Sequence, residues 1–186
     1  MSDTPSFSAV LLAAGRSTRM GTDKALLPVD GMALWQRQWA VLARTRASEI
    51  ILSVRPEQTW APAGVNVVRD ALADAGPLGG IAAALEKMRQ THLIVLAVDL
   101  PQMQPVWFER LKELCEPGVG AVGLCDGFYE PLAAIYPREL VADAVRRLTR
   151  GEYALQRFIA AAGTAMKAVE IGKEEAAMFE NWNEPA

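Results

Sequence analysis

The first thirty residues constrain the fold most, because an apolar, strand-like run passes directly into a polar loop. The run is Phe7–Ala13; the loop at 14–21, with Asp23 and Lys24 after it, carries two glycines, two arginines, two hydroxyl side chains and a lysine. Small residues let backbone N–H groups approach a phosphate closely, and the cations neutralise its charge. After the first strand of an α/β domain, such a loop lies where open sheets bind ligands. We therefore expect an anion-binding loop rather than an ordinary basic surface turn.

Strand and helix patterns alternate through the first half of the chain. Apolar, strand-like runs occur at 49–54, 65–69 and 92–98, and helical patterns at 34–43, 81–90 and 105–114. Asp70–Asp74 is expected to form a turn, and Gly76–Gly80 to break regular structure before the second helix. The expected inner stripe of the first helix is Leu34, Trp35, Trp39 and Leu42. Alternation of this kind predicts parallel pairing of the strands.

The second half contains a hairpin pattern. Two strand-like runs, 120–125 and 128–136, flank Asp126-Gly127, a dipeptide typical of tight hairpin turns. Helices are then expected at 138–148 and 153–161, a strand at 166–171, and a short helix at 174–179. We therefore predict an α/β fold, a three-layer αβα Rossmann-like sheet that is mainly parallel and mixed toward one edge. We expect 1–186 to form one domain.

Composition excludes several classes of function. The net charge of −3 argues against general nucleic-acid binding. We expect no membrane segment, and Met1–Ser6 is too short and polar for a signal peptide. The spacing of Cys115 and Cys125 does not match that of metal ligands. We expect both to be buried thiols of a protein in the reducing cytoplasm. His92 is the only histidine and begins a strand, so we expect it to be structural.

Three charged residues follow predicted strands. Lys24 follows the loop of the first strand, Asp70 the third strand and Asp99 the fourth. The carboxyl ends of parallel strands share one edge, so these side chains are expected to converge there. A lysine balances phosphate charge, and an aspartate at a strand end can hold Mg²⁺. Taken singly, Asp70 and Asp99 could each be a turn residue; their convergence favours a site.

Two common nucleotide-binding fingerprints are absent. A dinucleotide-binding loop needs G-x-G-x-x-G, but this loop offers only Gly15 and Gly21, six residues apart. A P-loop needs Gly-Lys-Ser/Thr, but Gly21 is followed by Thr22-Asp23.

The segment Leu12-Ala13-Ala14-Gly15-x-Ser17-x-Arg19-Met20-Gly21-x-Asp23-Lys24 resembles the signature loop of the nucleotidyltransferases that activate sugars, alcohols and cofactors with NTPs. Four further stretches, spread over essentially the whole chain, resemble the molybdenum cofactor guanylyltransferases (MobA-like), which join GMP from GTP to molybdopterin. They are Asp70-x5-Gly76-Pro77-Leu78-Gly79-Gly80, Val98-Asp99-Leu100-Pro101, Glu130-Pro131-Leu132-x2-Ile135-Tyr136 and Asn181-Trp182-Asn183-Glu184-Pro185. The resemblance implies a sheet of the nucleotide-diphospho-sugar transferase type.

The resemblance also implies roles for individual residues. Those implied in nucleotide binding are Leu12, Ala13, Ala14, Gly15, Lys24, Ser53, Asp70, Gly79 and Asp99. Among these, the backbone of Leu12–Ala14 would wrap the nucleotide and Asp70 would fix the base or ribose. The implied catalytic residues are Arg19 and Lys24 on the triphosphate, and Asp99 as the Mg²⁺ ligand. The implied acceptor residues are Glu130, Pro131 and Leu132, with Asn181 or Asn183 returning near the metal.

The implied partners are GTP or CTP, a molybdopterin-type acceptor, and proteins that mature molybdoenzymes, with no nucleic acid or membrane. Guanylyltransferases of this group usually read Leu-Ala-Gly-Gly, whereas Ala14 gives the form common in cytidylyltransferase relatives. Ser53 stands where the guanine-specific enzymes usually have asparagine. The stretches 76–80 and 181–185 favour guanine. We expect guanylyl transfer; the alternatives are a cytidylyltransferase acting on the same cofactor, a non-catalytic nucleotide-binding regulatory module and a sugar-1-phosphate nucleotidyltransferase.

Overall fold

The computed structural model describes residues 4–15, 23–69 and 75–181, and within them a seven-stranded sheet forms the centre of the protein. In chain order the strands are β1 (Phe7–Leu12), β2 (Pro28–Val29), β3 (Met32–Ala33), β4 (Ile50–Val54), β5 (Asn66–Arg69), β6 (His92–Ala97), β7 (Gly120–Cys125), β8 (Phe128–Pro137) and β9 (Met166–Glu170). The large sheet has the order β5-β4-β1-β6-β8-β7-β9, while β2 and β3 pair separately.

The sheet is parallel on one side and mixed on the other. β1 pairs in parallel with β4 and β6, and β4 with β5. β8 runs antiparallel to β6 and β7, and β9 is parallel to β7. The predicted mixed, mainly parallel sheet is confirmed. The ends of β1, β4 and β6 therefore share one edge, which we call the carboxyl edge.

Helices cover both faces of the sheet. In the described ranges the α-helices are α1 (Leu34–Arg44), α2 (Pro77–Lys87), α3 (Pro105–Lys112), α4 (Val141–Arg150) and α5 (Leu155–Ala162). One buried cluster joins α1 and α3 to the sheet, and a second joins α2, α4 and α5 to the opposite face. Successive residues of β1, such as Val10 and Leu11, alternate between the two clusters. None of the helices described is both long and apolar enough to cross a membrane.

The buried stripe of α1 differs from the predicted one. Leu34 and Leu42 are fully buried as expected, but the third buried residue is Gln38, whereas Trp35 and Trp39 are only partly buried. Gln38 can be buried because its amide donates to the carbonyl of Leu100. The two tryptophans pack edge-on beside the stripe, with ring centroids 6.4 Å apart.

α2 begins earlier than predicted. The expectation that Gly76–Gly80 breaks regular structure is wrong, because the helix starts at Pro77, a residue suited to the first helical position. Gly80 is required by packing: a Cβ there would lie 2.6 Å from the Oγ of Ser53. Gly79 and Gly80 are both buried, and the missing side chain of Gly80 lets the helix lie close against β4.

His92 has the structural role expected of it. The ring is fully buried, with Nδ1 2.9 Å from the Thr91 hydroxyl. Its Nε2 lies 3.1 Å from the carbonyl oxygens of Glu116 and Val119. These contacts connect the start of β6 to the segment that leads into β7.

Candidate functional site

Lys24 and Asp99 meet at the carboxyl edge. Lys24 begins a 3₁₀ turn, Lys24–Leu26, and Asp99 lies two residues beyond β6. The Nζ of Lys24 is 4.0 Å from the Oδ2 of Asp99, and the two side chains are 21% and 31% exposed. A partly exposed cation and a partly exposed carboxylate thus lie side by side at this edge.

The other carboxylate oxygen of Asp99 is an unusual group. Oδ1 is buried and accepts no hydrogen bond from any residue the structure describes. A buried carboxylate oxygen without a donor is costly, and a bound cation would satisfy it. Across the described ranges, no three His, Cys, Asp or Glu side chains are grouped to hold a metal. Asp99 therefore suits Mg²⁺, which needs only one or two carboxylates beside phosphate oxygens.

Helix α1 fixes the turn that carries Asp99. Gln38 donates to the carbonyl of Leu100, and the Nε of Arg37 donates to the carbonyl of Pro101 at 2.9 Å. Both acceptors follow Asp99 directly in the chain. The sequence reasoning missed these two residues, because periodicity assigned Gln38 no role and gave Arg37 no partner.

The chain leaving β1 is attached to its neighbours. The carbonyl of Leu12 accepts from the Val98 amide at 3.0 Å, and the Ala13 amide donates to the carbonyl of Ser53 at 2.8 Å. The carbonyls of Ala14 and Gly15 accept from the Nη1 of Arg55, at 2.7 and 2.6 Å. These bonds fix the backbone that enters the predicted anion-binding loop.

Ser53 and Gly79 are both buried, Ser53 in β4 and Gly79 in α2. The Ser53 side chain is fully buried, and its Oγ has no hydrogen-bond partner in the part of the chain that the structure describes. Gly79 is buried in the first turn of α2, and its amide donates to the carbonyl of Gly76 at 3.2 Å. The Ser53 hydroxyl is therefore closed off beneath α2, while the Ser53 carbonyl is the atom that contacts the loop backbone.

Arg19, Asp70 and Asn183 lie outside the described residues, as does the expected turn at 70–74.

A second polar network joins the two ends of the loop. Gln58, 4% exposed, donates through Nε2 to the carbonyl of Ala13 at 3.0 Å and to the Oδ2 of Asp23 at 2.5 Å. The Nε1 of Trp60 donates to the same Oδ2 at 2.6 Å. No sequence pattern singled out Gln58 or Trp60, because their partners are far away along the chain.

The predicted acceptor residues lie at the start of β8. β8 neighbours β6 in the sheet, and the Asp126-Gly127 turn puts its first residues at the carboxyl edge, one strand from Asp99. Glu130 pairs in register with Gly123, and burial raises the pKa of its carboxyl. The carbonyl of Pro131 accepts from the Tyr136 hydroxyl at 2.8 Å, and Leu132 packs against both buried clusters.

The segment before Asn181 is attached to α3, the helix that follows Asp99. The Phe179 ring packs edge-on against Trp107, with centroids 4.9 Å apart. Arg110 donates to the Glu175 carboxylate and, at 3.2 Å, to the carbonyl of Glu170. Asn181 itself is exposed and follows this anchored segment by two residues.

Comparison with known proteins gives concordant matches. Residues 9–168 match the family model described as the MobA-like NTP transferase domain. A protein of Opitutus terrae, named a probable molybdenum cofactor guanylyltransferase, is 43% identical over 184 residues, which cover 96% of this chain and 91% of that protein.

Solved structures agree on the fold. Molybdopterin-guanine dinucleotide biosynthesis protein A of Archaeoglobus fulgidus has a TM-score of 0.77 at 20% identity, covering 96% of this chain and 93% of that one. A Mycobacterium tuberculosis protein solved in complex with manganese has a TM-score of 0.67 at 18% identity, covering 90% and 89%. With the family match extending over most of its length, the chain belongs to the MobA-like NTP transferase family of nucleotidyltransferases.

Proposed function

We propose that the protein transfers GMP from GTP to the phosphate of molybdopterin and releases pyrophosphate. The observation that carries the proposal is the Lys24–Asp99 pair at the carboxyl edge, where an ammonium group lies 4.0 Å from a carboxylate whose other oxygen is buried without a donor among the described residues. The Opitutus relative is named for this activity, and the Archaeoglobus neighbour for the guanine dinucleotide.

The proposed reaction is an attack by the molybdopterin phosphate on the α-phosphorus of GTP. One P–O bond forms and the bond to the β-phosphate breaks, so that pyrophosphate leaves. The attacking oxygen is already anionic and needs no general base, in keeping with a structural His92. Lys24, with Arg19, would neutralise charge on the triphosphate and hold it in line for attack.

We further propose that Asp99 holds Mg²⁺ through its buried Oδ1. This cation would neutralise charge on the phosphate oxygens that it contacts. The manganese complex of the Mycobacterium neighbour supports the use of a divalent cation. The turn after Asp99 is fixed by Gln38 and Arg37, so the carboxylate would need little reorganisation when the nucleotide arrives.

The acceptor would bind beside this pair. Glu130, Pro131 and Leu132 begin the strand next to β6, and Asn181 and Asn183 would approach from the segment anchored on α3. Asp70 would contact the base or ribose.

We propose that residues 1–186 act as one domain, in the cytoplasm and in contact with proteins that mature molybdoenzymes. Cys115 and Cys125 are both free thiols, in keeping with a reducing compartment.

Cytidylyl transfer to the same acceptor is the second candidate. Ala14 in the loop and Ser53 in β4 favour it, because both residues depart from the pattern usual in guanine-specific relatives.

Thermal-shift titration with GTP, CTP, ATP and UTP in Mg²⁺ separates the candidates. A nucleotide at 100 times its Kd adds about 2.7 kcal/mol to the free energy of unfolding. We expect GTP to raise the Tm most. A larger Tm shift with CTP would make CTP, in place of GTP, the proposed substrate. No Tm shift with any nucleotide would overturn the proposal. Mg²⁺-dependent pyrophosphate release excludes a non-catalytic module.

A further inference from the structure

The connection between β4 and β5 contains a buried side-chain amide, that of Gln58, whose nitrogen donates to both residues that flank the predicted anion-binding loop. Gln58 donates to the carbonyl of Ala13 and to the carboxylate of Asp23, and its Oε1 accepts from the Arg55 amide at 2.6 Å. Ala13 precedes the loop and Asp23 follows it. One side chain therefore holds the two ends of the loop at a fixed separation.

Asp23 is held by three neutral donors. Gln58 and the Trp60 indole both donate to Oδ2, at 2.5 and 2.6 Å, and the Ala25 amide donates to Oδ1 at 3.1 Å. The last bond caps the 3₁₀ turn that begins at Lys24. Asp23 directly precedes Lys24 in the chain. Holding the Asp23 carboxylate therefore fixes the backbone from which the Lys24 side chain extends toward Asp99.

We propose that Gln58, Asp23 and Trp60 form a positioning unit, the Gln58 bracket, which sets Lys24 against Asp99 and aligns the triphosphate. The inference rests on the proposed nucleotidyl transfer. A lysine side chain is long and flexible, so the position of its ammonium group depends on how firmly the backbone of the lysine is fixed. Displacing a catalytic group by about 1 Å can cost about 10²-fold in rate.

A bracket that served stability alone would behave differently. Its loss would lower the Tm, but it would leave the folded enzyme's turnover and the surroundings of Lys24 unchanged. A positioning unit acts through Lys24, so its effect on rate must vanish once Lys24 is removed.

Two mild variants test the bracket. Trp60→Phe removes the indole N–H from Asp23 and keeps a smaller aromatic ring at that position. Asp23→Asn preserves size but removes the charge that the donors hold. Trp35→Phe is the matched control, because the Trp35 ring lies 5.7 Å from that of Trp60 in the same aromatic group.

The kinetic readout is pyrophosphate release, measured well below the Tm of each variant. We expect Asp23→Asn to lower kcat by up to about 10²-fold, Trp60→Phe to lower it less, and Trp35→Phe to leave it unchanged. In the Lys24→Ala background, Asp23→Asn should cause no further loss. The same fractional loss in both backgrounds would overturn the proposal.

A second readout needs no substrate. The protein is acetylated in its folded state, and the acetylation rate of Lys24 is followed by peptide mass spectrometry. This rate reports how far the contact with Asp99 shields the Lys24 amine from the reagent. We expect the rate to rise in Trp60→Phe and Asp23→Asn, toward that of Asp99→Asn, and to stay at the wild-type value in Trp35→Phe. Unchanged labelling in both bracket variants would overturn the bracket. A wild type that labels as expected but transfers no nucleotide would overturn the proposed function instead.

Discussion

The ammonium nitrogen of Lys24 and the Oδ2 of Asp99 lie 4.0 Å apart, one on the turn after the first loop and the other beyond the end of β6. They meet because β1 and β6 are parallel neighbours whose ends share the carboxyl edge. The remaining oxygen of Asp99 is buried and accepts from none of the described residues. In the proposed function, Lys24 is the cation for the phosphate and Asp99 is the carboxylate for the metal.

Removing either member of the pair should abolish most turnover without unfolding the protein. Losing one preorganised charge-stabilising group costs roughly 10²–10³-fold in rate. We expect Lys24→Ala and Asp99→Asn each to lose at least that much pyrophosphate release while circular dichroism stays unchanged. Lys173→Ala, an exposed lysine on a turn, is the control. Near-normal activity in Lys24→Ala would remove Lys24 from the mechanism.

Gly80→Ala should destabilise the protein through close contacts with Ser53 and Leu12, of which the one with Ser53 is the shorter. The new Cβ would lie 2.6 Å from the Oγ of Ser53 and 3.0 Å from a methyl carbon of Leu12. Overpacking costs about 1–3 kcal/mol, which exceeds the gain of up to about 1 kcal/mol from replacing a helical glycine by alanine.

The Ser53→Ala background provides the check. That substitution deletes the unpartnered buried hydroxyl and leaves the Ser53 Cβ at an acceptable 3.5 Å, while the 3.0 Å approach to Leu12 remains, so Gly80→Ala should cost less stability there. Urea denaturation of the four proteins measures the cycle. An equal loss of stability in both backgrounds would show that the contact with Ser53 is not the cause.

Glu130→Gln should make the protein more stable at neutral pH. Burial raises the pKa of the Glu130 carboxyl, so ionisation costs more in the folded state than in the unfolded state. This cost is absent below the unfolded pKa of about 4.3 and is complete above the raised folded value. The gain in the free energy of unfolding should therefore be present at pH 7 and absent near pH 3.5. A gain independent of pH would contradict burial as its cause.

Phe179→Ala should release the segment that carries Asn181. The ring meets Trp107 edge-on at 4.9 Å, and losing this contact and its buried area should cost about 1–2 kcal/mol. We expect faster proteolysis of the last residues together with a raised KM for the acceptor. Phe128→Ala, at a ring that is 67% exposed on the hairpin tip, should change neither stability nor proteolysis. An unchanged acceptor KM in Phe179→Ala would separate this segment from the acceptor site.

Much of the sheet followed from local pattern. Alternating strand and helix runs predicted the parallel half, and Asp126-Gly127 predicted the β7–β8 hairpin, because each depends on neighbours in sequence. The start of α2 did not follow. Gly79 and Gly80 looked like helix breakers, and only the approach of α2 to Ser53 shows that the missing side chain of Gly80 serves packing.

The candidate site, like the fold, could be predicted only in part from the sequence. Lys24 and Asp99 could be found because strand ends converge in any parallel sheet. Gln38 and Gln58 could not, since each is buried only because a distant backbone carbonyl accepts its amide. A polar residue that is buried through long-range hydrogen bonds leaves no periodic signal in the sequence.

The most direct test of the central claim is a product assay. The wild-type protein is incubated with Mg²⁺, molybdopterin and an equimolar mixture of GTP and CTP, and the dinucleotide formed is identified by mass spectrometry alongside pyrophosphate. The account predicts molybdopterin-guanine dinucleotide and pyrophosphate in equal amounts, both formed roughly 10²–10³-fold more slowly by Lys24→Ala. Formation of the cytosine dinucleotide would contradict the assignment of GTP. The absence of any dinucleotide from the wild type would contradict nucleotidyl transfer to molybdopterin itself.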